Sequence, residues 1–84
     1  VNGLTVERNQ ADTRKALVKW NKQADATGYI VNYGIDQNKL YTSVMVYDSD
    51  NLALNGLNKD VTYYFSIDVF NESGITKGTK ILKN

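Results

Sequence analysis

The chain has 84 residues, 10 Lys plus Arg against 9 Asp plus Glu, a net charge of +1, and no Cys, His or Pro. That length fits one small domain, residues 1–84, which no disulfide can staple. The missing residue types exclude a thiol nucleophile, imidazole acid–base chemistry and the ligand sets that zinc and other transition metals prefer. A charge this close to zero supplies no electrostatic footprint for nucleic acid or an acidic membrane surface. No apolar run approaches the roughly 20 residues that cross a bilayer, so no membrane insertion is expected. No cofactor, no metal ligands and no catalytic set are expected either. The first residue is Val1 and no signal peptide is visible; the chain reads as a piece of something longer.

Period-two alternation dominates, punctuated by turn residues. Thr5 to Glu7 forms an opening strand with Leu4 and Val6 on one face. Asn9 to Arg14 is a polar loop. Ala16, Val18 and Trp20 alternate with Leu17 and Lys19, a half-buried strand with Trp20 as its inward anchor. Asn21 to Thr27 is turn-like. Tyr29, Val31 and Tyr33 form the next inward set, with Ile30 and Asn32 outward. Gly34 to Lys39 turns. From Leu40 to Tyr47 the alternation is ambiguous, because Val44 and Val46 compete with Tyr41, Met45 and Tyr47 for the inward face. Asp48 to Asn51 turns; Leu52 and Leu54 start a short strand that Asn55-Gly56 closes. Tyr63, Phe65, Ile67 and Val69 are the cleanest inward row, with Tyr64, Ser66, Asp68 and Phe70 facing the other way. Asn71 to Gly74 is a tight turn, and Ile75 to Leu82 is the last strand. No window has the i, i+3, i+4, i+7 pattern of an amphipathic helix. Short strands separated by turns predict an antiparallel sandwich, each sheet with one wet face.

Three segments resemble the fibronectin type III domain. Ala16-Leu-Val-Lys-Trp20-Asn is similar to its second strand with the buried Trp, and Gly28-Tyr-Ile-Val-Asn-Tyr33-Gly to its third. Leu54-Asn-Gly-Leu57-Asn-Lys-Asp-Val-Thr-Tyr63 is similar to the fifth strand leading into a tyrosine corner, where a Leu precedes a Tyr by six positions. Tyr63 to Asn71 followed by Gly74 matches the sixth strand and its turn. The resemblance implies an all-β, immunoglobulin-like Greek-key sandwich of about seven antiparallel strands. Its core would comprise Trp20, Tyr29, Val31, Tyr33, Leu54, Leu57, Tyr63, Phe65, Ile67 and Val69. One departure stands out: the family's Pro-Gly in the corner loop is Lys59-Asp60 here, which predicts a slightly more mobile turn. No Arg-Gly-Asp occurs, so integrin binding does not carry over.

A narrower resemblance runs through Ala26 to Gly34, Asp36 to Tyr41 and Asn58 to Gly78. It is to accessory modules at the C-terminal end of bacterial glycoside hydrolases of the β-xylosidase and arabinofuranosidase types. It implies a non-catalytic spacer or packing module of a secreted enzyme acting on plant polysaccharide, with an extracytoplasmic location (periplasmic, cell surface or secreted). Its partner would be the catalytic domain of the same polypeptide.

The acids Asp36, Asp48, Asp50, Asp60 and Glu72 lie in turns, where carboxylates serve local backbone bonds, and Asp68 lies on an outward strand face. Glycoside hydrolysis needs two acids across a cleft, which a small convex sandwich does not offer. Asp48-Ser-Asp-Asn51 lacks the Gly and distal Glu of a calcium loop. Asn71-Glu-Ser73 matches a glycosylation sequon and reads as a turn. Tyr41, Tyr47 and Tyr64 remain as surface aromatics, where sugar stacking competes with plain strand propensity. Ile30, Tyr64 and Phe70 face outward on strands expected to be neighbours, a candidate domain contact. A carbohydrate-binding module using the exposed tyrosines is the first alternative function. A protein–protein adhesion module is the second.

Overall fold

The computed structural model describes residues 3–78 and 80–84. The strands are β1 (Thr5–Arg8), β2 (Ala16–Lys19), β3 (Gly28–Gly34), β4 (Thr42–Tyr47), β5 (Asn51–Leu54), β6 (Tyr64–Asn71), β7 (Gly74–Thr76) and β8 (Leu82–Lys83). One sheet has the order β1-β2-β5. The other has the order β4-β3-β6-β7, with β8 also on β6. Every pairing is antiparallel. The chain leaves the first sheet after β2, lays down β3 and β4, returns for β5 and crosses again to β6, which is Greek-key connectivity.

The alternation read from sequence sets which side chains meet between the layers. Val18, Tyr29, Val31 and Phe65 are essentially sealed, and Leu4, Val6, Ala16, Trp20, Leu54, Leu57, Tyr63, Ile67 and Val69 complete the core. Tyr33 departs from the expected core set. It is half-buried at the rim, stacked on Phe65 at 5.9 Å and edge-on to Tyr63 at 6.2 Å. At the other end Trp20 packs on Tyr29 with ring centroids 5.3 Å apart. The Trp20 indole N–H is buried without an acceptor among the described residues, an arrangement whose lost hydrogen bond the ring's packing must outweigh.

The ambiguous β4 is settled by its register on β3. Val44 pairs with Val31 and Val46 with Tyr29, so the valines face inward; Met45 and Tyr47 face out and are more than half exposed.

The expected final strand from Ile75 to Leu82 is two short strands. β7 pairs with Val69–Asn71 and β8 with Tyr64–Phe65, and Lys77 and Gly78 after β7 are off the ladder. The Gly78 N–H donates to Asp68 Oδ1 at 2.8 Å, a carboxylate in place of a ladder carbonyl. A Cβ at Gly78 would run into the Ile67 carbonyl, so only glycine allows this approach.

The tyrosine corner forms without its proline. Asn58 N–H donates to the Tyr63 hydroxyl at 2.7 Å. Asp60 takes the left-handed φ of 60°, which Asp tolerates better than most residues. Thr13 reaches across and accepts the Asp60 N–H on Oγ1 at 2.7 Å. Arg8 then ties the whole end together. Its guanidinium donates to the carbonyls of Thr13, Asn58, Val61 and Asn84 and lies 5.4 Å from the centre of the Tyr63 ring.

Candidate interaction face

The outer face of the five-stranded sheet divides into an apolar half and a polar half, and cross-strand register shows why. Gly28 lies between Tyr47 on β4 and Phe70 on β6, and Phe70 pairs onward with Ile75 on β7. The next outward row joins Met45, Ile30 and Asp68. Gly28 is required here by space. A Cβ would sit 2.7 Å from Phe70 Cζ, so the phenyl ring lies over the bare backbone. The Tyr47 ring then meets Phe70 edge-to-face at 5.7 Å and 89°, a favoured aromatic geometry. The Tyr47 hydroxyl donates to Met45 Sδ at 3.0 Å. Met45, Tyr47 and Ile75 are 54%, 63% and 58% exposed, so Ile30, Met45, Tyr47, Phe70 and Ile75 form one apolar patch open to solvent.

The polar half starts one row further along. Ser43 Oγ donates to Asn32 Oδ1 at 2.7 Å, and Asn32 Nδ2 donates to Asp68 Oδ2 at 3.0 Å and Ser66 Oγ at 3.4 Å. With the Gly78 N–H on its other oxygen, Asp68 has donors on both sides. Ser66 and Asp68 point outward as the alternation predicts, yet both are buried. The segment at Lys77 and Gly78 lies against this face, with the Gly78 backbone close to Ile67 and Asp68. A buried carboxylate held by hydrogen bonds costs little to desolvate, whereas a bare one would be expensive. Asp68 therefore anchors that segment to the sheet.

Of the residues the sequence brings forward as contacts, Ile30, Tyr47 and Phe70 come together. Tyr64 does not join them; it is half-buried and pairs with Gly34 and Lys83 at the far end of β6. Tyr41, 84% exposed, also lies beyond the opposite end of β4. It borders a hollow of about 340 Å³ lined by Tyr33, Ile35, Lys39, Asn58 and Tyr63. The three surface tyrosines thus do not make a single stacking platform.

The turn acids serve local bonds. Asp36 accepts from Asn38 N–H, and Asp50 from Asn51 Nδ2. The bond from Lys22 Nζ at 2.9 Å holds the Asp48 carboxyl below its ordinary range and the Lys22 ammonium above its own. Asn71 Oδ1 accepts from Ser73 N–H, closing the turn at the sequon. Among the described residues no cluster of three or more acids could hold a metal ion. The patch residues Met45 and Ile75 went unremarked as contacts in the sequence. Their signal is visible only through register, which sets Met45 beside Ile30 and Ile75 beside Phe70.

No protein-family model and no curated protein matches the chain in sequence. Solved structures do match in fold. An Fn3-like protein from Clostridium thermocellum superposes with a TM-score of 0.85 at 19% identity, over 98% of this chain and 85% of that one. The FN1–FN3 fragment of chicken CNTN1 superposes with a TM-score of 0.83 at 17% identity over 99% of this chain, which spans 30% of that fragment. The FN3 domain of human collagen XX gives 0.75 at 14% identity, covering 99% of this chain and 88% of that domain. With its two antiparallel sheets, its Tyr63 corner and these neighbours, the chain has the immunoglobulin-like sandwich fold of fibronectin type III domains.

Proposed function

We propose that this domain is a non-catalytic accessory module of a larger polypeptide, one that spaces and packs a neighbouring domain. The observation that carries this reading is the apolar patch of Ile30, Met45, Tyr47, Phe70 and Ile75. A contiguous exposed patch of this kind marks an interaction surface. The chain's path supports a spacer as well. Gly3 lies against Asn21 beyond one end of β1, and Asn84 lies with Arg8 and Tyr63 at the other. A rigid sandwich between those points fixes the separation and angle of whatever it joins.

The neighbour we propose is the catalytic domain of a secreted bacterial glycoside hydrolase acting on plant polysaccharide. The support is the resemblance of Ala26 to Gly34, Asp36 to Tyr41 and Asn58 to Gly78 to such accessory modules. An extracytoplasmic location belongs to the same proposal. In the parent protein, Ile75→Lys should lower the melting temperature of the joined domains and leave that of the isolated domain unchanged. Equal effects on both would overturn the packing role. A catalytic domain encoded in the adjoining sequence would support the context.

The second reading is a carbohydrate-binding module, and the observation favouring it is Tyr41 beside its hollow. An exposed ring next to a concave wall suits pyranose stacking. Titrating arabinoxylan oligosaccharides against amide shifts separates the two. Flat spectra at millimolar ligand support the spacer; shifts confined to Tyr41, Lys39 and Asn58 support sugar binding.

A further inference from the structure

We propose that strand β4 pairs antiparallel with β4 of a second copy of this chain, joining two five-stranded sheets into one. This goes beyond the packing role, which uses the face of the sheet and not its edge.

A sheet edge offers unpaired N–H and C=O groups to any strand that fits, and proteins blunt such edges with charge, brevity, proline or a bulge. Three of the four edges here are blunted. β1 has four residues and carries Glu7 and Arg8; β5 has four and follows Asp50. The β7/β8 edge is broken into three and two residues with Lys77, Lys80 and Lys83 along it. β4 is the exception. Its six residues, Thr-Ser-Val-Met-Val-Tyr, hold no charge, proline or glycine. Its register on β3 runs unbroken from Tyr33↔Thr42 to Gly28↔Tyr47, with no bulge to turn it away. Among the described residues no strand pairs with its other side.

The inner face of β4 is also incomplete. Val44 and Val46 point inward but are only half-buried, and Val44 is not part of the core cluster. The opposite layer has three strands to this layer's five. A strand laid beside β4 would cover both valines.

A second copy supplies a matching strand. For the inner faces of two antiparallel copies to lie on one side, inward residues must oppose inward residues. Centring the pair on Met45 sets Val44 against Val46 of the second copy, Ser43 against Tyr47, and Met45 against itself. No charge enters the pairing. The antiparallel sense also brings Lys39, just before the uncharged run, toward the Asp48–Asp50 turn of the other copy; a parallel pair would bring like ends together. The contact is two-fold and uses both edges, so it closes at a dimer.

The test is sedimentation with amide exchange from about 10 µM to about 1 mM. The expected result is a mass rising toward twice 9.4 kDa, with alternate β4 amides slowing as it does. Met45→Lys opposes two ammonium groups at the centre of the pair and should abolish the rise, with the melting temperature of dilute protein unchanged. Ile75→Lys, on the outer face away from the edge, should leave the dimer intact. A monomer at 1 mM, or a dimer whose β4 amides do not slow, would overturn the proposal. So would a dimer that Ile75→Lys destroys, which would be face-to-face.

Discussion

The two ends of the sandwich solve the same problem with different means. At each end a core tyrosine accepts a loop amide on its hydroxyl at 2.7 Å: Tyr29 from Gln23, and Tyr63 from Asn58. At the Tyr29 end the rest is aromatic packing against Trp20, whose own N–H has no acceptor among the described residues. At the Tyr63 end Tyr33 and Phe65 pack against the ring, and a polar network is added to them. Arg8 holds four carbonyls, those of Thr13, Asn58, Val61 and Asn84, Thr13 holds Asp60, and Asn84 Nδ2 donates to the Val6 carbonyl at 2.6 Å. Both ends bury rings, but only the Tyr63 end adds a network of directed bonds between segments. The first tolerates a missing hydrogen bond but not a missing ring; the second depends on both.

Substitutions should expose the difference, beginning with the ring. Trp20→Ala should cost about 3–5 kcal/mol and unfold much of the isolated domain, since it deletes the centre of its end. A near-native urea midpoint for that variant would contradict the packing account. Arg8→Ala should cost about 2–3 kcal/mol, the scale of a charge-assisted hydrogen bond with its acceptors left unpaired. Its amide-exchange signature should be loosening of Val61, Tyr63 and Asn84, with the Trp20 end quiet. Tyr63→Phe should cost about 1–2 kcal/mol by leaving the Asn58 N–H without its acceptor. A double-mutant cycle sharpens the contrast: Tyr63→Phe and Arg8→Ala share a cluster and should couple, whereas Tyr29→Phe and Arg8→Ala should add.

The smallest effect is electrostatic. The side-chain hydrogen bond from Arg14, 2.9 Å away, holds the half-buried Asp12 carboxyl down at about 2. A depressed carboxylate stabilises the fold above its unfolded value near 3.8, and that contribution fades as pH falls toward 2. The loss on acidification should therefore be slightly smaller in Asp12→Asn than in the parent chain, measured by urea midpoints at pH 4 and pH 2. An identical loss in both would remove Asp12 from the acid response.

The strands and their inward rows are legible in the sequence because a half-buried strand must alternate with period two. Tyr63, Phe65, Ile67 and Val69 read directly for that reason. Leu57 and Tyr63 carry the corner through their resemblance to the fibronectin type III pattern, whose Leu-to-Tyr spacing they share. The face of β4 is not legible, since Tyr41, Met45 and Tyr47 are as apolar as Val44 and Val46. Only the register against β3 separates them. Asp68 shows a second limit. Its outward direction follows from alternation, but its burial goes with Gly78, ten positions away, whose backbone lies close to it. Arg8 drew no notice in the sequence because its acceptors, Thr13, Asn58, Val61 and Asn84, are backbone carbonyls that any residue type supplies.

The apolar patch falls on both sides of that line. Ile30 and Phe70 announce themselves as outward apolar residues on neighbouring strands. Met45 and Ile75 join them only through pairing across four strands, and Tyr64 is carried away by the same register. Sequence by itself determined the fold class, the anchors Trp20 and Tyr63 and the absence of thiol and imidazole chemistry, because composition and period are local properties of the chain. Tertiary structure decided which outward residues touch, which acid is buried, how the corner holds without proline and which sheet edge is left open. Those depend on strand register and on contacts between distant segments, which alternation along one strand does not encode.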